Sequence, residues 1–134
     1  MQQRAPYPPS SCCPLVQLFI TLFNGWIRTV RTYKKYTETF LDTLPQKARA
    51  KFIWTFQLIE EIESVPITYL KHIEDGIYEV RVKLGSNIYR IMAFFDEDQL
   101  ILTINGFQKK TQKTPKIEIT LAKKIREEYE QEKP

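Results

Sequence analysis

The chain has 134 residues, 43% of them hydrophobic and 13% aromatic, enough to fill the core of one domain. Its formal net charge of +4 is mild, so the distribution of charge matters more than the total. The only cysteines, Cys12 and Cys13, are adjacent and the only histidine is His72, which excludes a disulfide framework, a Cys-x-x-Cys metal site and a two-histidine nuclease.

Residues 1–25 read differently from the rest. Pro6, Pro8, Pro9 and Pro14 surround Ser10-Ser11-Cys12-Cys13, and an apolar run follows from Leu15 to Phe23. That run is shorter than the ~20 residues a membrane span needs. Arg4 alone precedes it, and no small-x-small cleavage site follows, so it does not fit an export signal. A translation start set too far upstream is the expected explanation, with the true one at an alternative codon behind Leu22 or Val30. Residues 1–25 are therefore expected to lie outside the fold, and residues 26–134 to form the domain.

Ile27 to Tyr33 alternates as a first strand does. Lys35 to Leu44 suits a short helix, and Pro45 the first position of the next one, where its missing N–H is not needed. Gln46 to Ser64 predicts a long helix with Ala48, Phe52, Phe56, Ile59 and Ile62 as its buried stripe, ended by Val65-Pro66. Three strands follow: Ile77 to Lys83, Ile88 to Phe95 and Leu100 to Phe107. Gly85-Ser86-Asn87 and Asp96-Glu97-Asp98 are the turns between them. Thr114 is the expected N-cap of a final helix with Pro115 in its first turn and Ile117, Leu121, Ile125 and Tyr129 as its buried stripe. Strand, two helices, an antiparallel meander and a last helix make an α+β fold.

The period of two in the strands assigns faces. Tyr78, Val80 and Val82 point one way, towards the helices; Glu79, Arg81 and Lys83 point the other. In the next strand Arg90 falls opposite Tyr89 and Ile91, so Arg81 and Arg90 are expected on one face. Lys109, Lys110 and Lys113 leave the last strand nearby, with Glu118 the only acid between Phe107 and Lys124. Arginine's planar fork matches phosphate oxygens, lysine adds a mobile charge, and aromatic edges such as Phe107 can stack bases. Glu79 shares the face, so a plain salt bridge is the competing account of the arginines. His72 and Lys71, ahead of the first meander strand, stay ambiguous: His72 is a candidate acid or base, or a loop histidine without a role.

Three segments carry a resemblance: Gly76-Ile77-Tyr78-Glu79-Val80-Arg81-Val82, then Gly85-Ser86-Asn87-Ile88-Tyr89-Arg90, then Asn105 through Pro115, which contains Gly106-Phe107-Gln108-Lys109-Lys110-Thr111-Gln112-Lys113-Thr114-Pro115. Together they resemble the phage-derived HigB-like group of the RelE/ParE toxin superfamily, in order and without a large gap from about Val30 to Tyr129. The resemblance implies a RelE-like fold and the toxin of a type II toxin–antitoxin system. Such a toxin is a cytoplasmic, ribosome-dependent mRNA endonuclease that needs no metal or other cofactor. It is restrained by a cognate antitoxin, often a helix-turn-helix protein. Carried over by position, Arg81, Arg90, Lys110 and Lys113 are catalytic candidates, with His72 as a further one. Lys71, Arg81, Arg90, Phe107, Lys109, Lys110 and Lys113 are RNA-contact candidates. Some relatives use a histidine near the cut, and this chain has only His72, which leaves its acid and base open. Two rival readings share these residues: a ParE-like gyrase poison, and a non-catalytic RNA-binding regulator.

Overall fold

A computed structural model describes residues 27–97, 99–109 and 113–133. The element order is β1 (Thr29–Thr32), α1 (Tyr36–Asp42), α2 (Gln46–Glu61), β2 (Leu70–Glu74), β3 (Ile77–Leu84), β4 (Asn87–Glu97), β5 (Leu100–Lys109) and α3 (Lys116–Glu132). The five strands form one sheet in the order β1-β5-β4-β3-β2. β2 to β5 are antiparallel neighbours, while β1 runs parallel to β5 with Thr29 opposite Leu100 and Thr32 opposite Thr103. The α+β class stands, with a mixed sheet in place of a pure meander. Residues 1–25 lie outside the described residues.

Each sheet face has its own apolar cluster, as the alternation requires. On one face Ala48, Phe52 and Ile59 of α2 pack on Val80, Val82, Tyr89, Ile91, Ala93 and Ile101. On the other, Ile119, Ala122 and Ile125 of α3 pack on Ile77, Met92, Phe94, Leu102, Ile104 and Phe107. The face expected to be open is therefore covered over part of its length by the last helix.

Several local expectations change. α2 stops at Glu61 because Ile62 is extended (φ −108°, ψ 141°), and the Arg28 guanidinium caps its end by donating to the carbonyls of Ile59, Ile62 and Glu63. Pro45 and Pro115 are N-caps, outside the helices they precede, each with an extended ψ. The buried stripe of α3 is Ile119, Ala122 and Ile125, whereas Ile117 and Leu121 are 74% and 41% exposed. Ile117 sits two residues before Ile119, about 200° around a 3.6-residue helix, so both cannot face the sheet. Asp96 and Glu97 belong to β4, which runs longer than the alternation suggested. β2 was not expected at all; His72 lies in this edge strand and not in a loop or helix end.

Candidate functional site

The register brings the expected arginines together. Arg81 on β3 stands directly opposite Arg90 on β4, and Arg90 opposite Phe107 on β5. One step along, Ile88 faces Lys109, and on the other side Lys71 of β2 faces Glu79. Arg81 and Arg90 thus share a face, turned away from α2, and Lys71 and Lys109 flank them. α3 begins at Lys116, and just before it the Thr114 hydroxyl reaches Glu79.

Glu79 sits in the middle of these cations and is 1% exposed. Its Oε1 lies 3.3 Å from Arg90 Nε and 3.7 Å from Arg81 Nε. Its Oε2 accepts a short hydrogen bond from the Thr114 hydroxyl. Arg81 also donates to the carbonyl of Ile67 (3.0 Å), and Arg90 to that of its neighbour Tyr89 (2.9 Å). The ion pairs are close but poorly aligned. Glu79 Oε1, Arg81 Nε and Arg90 Nε are buried without a hydrogen-bond partner among the described residues.

The electrostatics follow from crowding. Lys71, Arg81, Arg90 and Lys109 face one carboxylate, Glu79. Burial, and then the neighbouring Arg81 charge, hold the Arg90 guanidinium below its ordinary pKa against the pull of Glu79. Lys109, itself buried, is also pushed down by burial first, with Arg90, Arg81 and Lys71 repelling its charge while Glu79 opposes the shift. An ammonium that releases its proton more readily than usual is suited to exchanging protons.

The other candidates are placed less favourably. His72 pairs with Tyr78 across the β2–β3 ladder, on the face opposite Glu79 and the arginines. Its ring edge packs on Tyr78 (5.0 Å), and its Nε2 accepts the backbone N–H of Gly76. That contact belongs to a tight turn in which Asp75 and Gly76 both have positive φ, 52° and 77°. The structure does not bring His72 into the cluster. Phe107 is in the core beneath α3, so its ring backs Arg90 and is not presented for stacking. Lys113 is exposed and engaged with neighbouring groups; Lys110 lies outside the described residues.

A groove of about 320 Å³ opens beside the arginines, and Lys51, Lys83 and Tyr69 line it with them. Lys51 donates from Nζ to the carbonyl of Lys83 at 2.7 Å. Alternation along β3 placed Lys83 on the arginine side; nothing in the sequence pointed to Lys51, which reaches the groove from α2. Glu79 is the residue whose weight was underread, because only the fold reveals its burial. Among the described residues no cluster of His, Cys, Asp and Glu could hold a metal ion, and no helix is long and apolar enough to cross a membrane.

A family model described as phage derived protein Gp49-like (DUF891) matches residues 39–127, a span that contains every residue of the cluster. No curated protein matches the chain.

Proposed function

The chain belongs to the Gp49-like family of phage-derived proteins, a toxin-like family, and on that premise we propose that it is the toxin of a type II toxin–antitoxin pair, of the HigB-like kind, which cuts mRNA on the ribosome. The observation that supports the reading is the gathering of Arg81, Arg90 and Lys109 around the single buried carboxylate of Glu79, a surplus of positive charge beside the groove. A phosphodiester at the mouth of the groove supplies the further negative charge that this surplus of cations favours.

In the proposed reaction the RNA 2′-oxygen attacks the adjacent phosphorus. The P–O5′ bond breaks, leaving a 2′,3′-cyclic phosphate and a 5′-hydroxyl. Arg81 and Arg90 stabilise the charge that builds on the phosphoryl oxygens, because their positions are fixed by packing before the substrate arrives. Lys109 is the group best suited to take the 2′-hydroxyl proton, and a second donor returns a proton to the 5′-oxygen. Lys71, Lys110 and Lys113 attract the flanking backbone. The working compartment is then the cytoplasm, and the partner a cognate antitoxin, proposed to be a helix-turn-helix protein. The gyrase-poison alternative makes no use of paired arginines beside a buried lysine.

The test is direct. Purified protein is added to a reconstituted translation reaction and the mRNA ends are mapped. Cuts within ribosome-bound message, with cyclic-phosphate ends and none in free RNA, are expected. Binding of ribosomes without new ends would favour the non-catalytic regulator, and arrest of DNA supercoiling with intact message would favour the gyrase poison.

A further inference from the structure

Glu79 is the one acid in a site that has to attract a polyanion, so its presence needs a reason. A carboxylate there works against RNA binding by simple repulsion. Burial of the charge is also costly unless its partners are held well. Its two oxygens have separate duties. Oε1 lies within ion-pair distance of the Nε atoms of both Arg81 and Arg90, whose Nη1 atoms donate to the carbonyls of Ile67 and Tyr89. Oε2 holds the Thr114 hydroxyl. Thr114 ends the segment that carries Lys110 and Lys113 from β5 to α3, and Pro115 after it caps that helix. One carboxylate therefore ties the arginine pair to Thr114, the residue after Lys113.

We infer that Glu79 is a positioning residue that orients Arg81 and Arg90 through one oxygen and holds Thr114, next to Lys113, beside them through the other, weakening RNA binding while raising the rate of cutting. The inference rests on the RNA-cutting reading and makes a demand that reading alone does not. A residue that serves only stability should lower binding and rate together. A residue that trades attraction for geometry should move them in opposite directions.

The experiment compares wild type, Glu79→Gln, Thr114→Val and Thr114→Ser in single-turnover cleavage of ribosome-bound mRNA and in equilibrium binding of a non-cleavable 2′-deoxy analogue. Glu79→Gln keeps an acceptor for Thr114 and removes the charge. It should bind the analogue more tightly, by up to about tenfold, and cut at least about 100-fold more slowly, the loss typical of a ~1 Å misplacement. Thr114→Val should lower the rate roughly tenfold and Thr114→Ser should restore it, since only the hydroxyl differs in kind. Parallel losses of binding and rate in Glu79→Gln, or wild-type behaviour in either Glu79→Gln or Thr114→Val, would overturn the inference. The arginine Nε–Hε resonances report independently of cutting. Ordered signals for Arg81 and Arg90 that persist unchanged in Glu79→Gln overturn the positioning role; their loss supports it even if the wild type proves to leave mRNA whole, an outcome that sinks only the RNA-cutting reading.

Discussion

Replacing Arg90 by alanine separates a structural ion pair from a working one. Arg90 is 6% exposed and Glu79 1%, and their charged atoms are 3.3 Å apart. At an effective dielectric of about 20, that separation corresponds to roughly 5 kcal/mol of attraction. Removal strands a buried carboxylate, which typically costs about 3–5 kcal/mol. Arg81 at 3.7 Å and the Thr114 hydroxyl remain to compensate, so the lower end, about 3 kcal/mol, is expected. For a domain of this size that is a fall in Tm of roughly 10–15 °C, which leaves the fold formed at room temperature. The loss in rate should be larger. One cation about 4 Å from the developing charge contributes roughly 4 kcal/mol at the same dielectric, or about a thousandfold in single-turnover cleavage. The double change Arg90→Ala with Glu79→Gln removes both charges and should regain about 2 kcal/mol of the lost stability without regaining activity. The assays are thermal unfolding followed by circular dichroism and cleavage on pre-bound ribosomes. If Arg90→Ala unfolds as described yet cuts at the wild-type rate, the arginine is only a structural partner of Glu79. If its Tm does not move, the burial argument itself is wrong.

Three further outcomes are expected. Lys109→Met should raise Tm at neutral pH, because burial disfavours the ammonium. With the pKa of Lys109 depressed in the fold, the unfolded chain binds more protons as pH approaches the ordinary 10.5, so wild type should gain stability relative to Lys109→Met over that range. A flat difference across the titration, followed by calorimetry, would remove Lys109 as the proton carrier. Gly106→Ala should cost about 1–3 kcal/mol of stability, read as a lower Tm, since a Cβ there would overlap the Phe40 ring, and a second change, Phe40→Leu, should recover part of it. Deleting residues 1–25 should leave the thermal transition of the remainder unchanged, as their composition suggests; protection of Leu15 to Phe23 from protease at the level of the core strands would refute this.

Local chemistry made much of this fold legible. The period of two in β3 and β4 put Arg81 beside Arg90, because a pleated strand leaves a side chain no choice of face. The 3.6-residue period of α2 located Ala48, Phe52 and Ile59 in the core. What failed was non-local or ambiguous. β2 is short, bulged between His72 and Glu74, and at the sheet edge, so its alternation was faint. Asp75-Gly76, a dipeptide that favours a two-residue hairpin turn, was the signal available for it. In α3, steps of four through Ile117 and Leu121 looked as helical as the true stripe, and only contact with the sheet decides between them. The parallel pairing of β1 with β5 leaves no mark on either segment alone. In the site, the arginines were legible as a pair and the lysines as a cluster. The burial of Glu79 and Lys109, which turns a charged surface into a charged interior, depends on contacts between segments distant in the chain, such as Thr114 with Glu79.

The parallel seam between β1 and β5 also sets a schedule. Thr29 leaves the ribosome early, but its partner Leu100 follows 71 residues later. At about 5–20 residues per second that interval is roughly 4–14 s. Through it the first strand has no neighbour, and Lys109 and Thr114, which complete the cluster, are still unmade. Contacts that span most of a chain also slow the final closure. The cluster of Arg81, Arg90, Lys109 and Thr114 around Glu79 is therefore assembled only after the last quarter of the chain has been made.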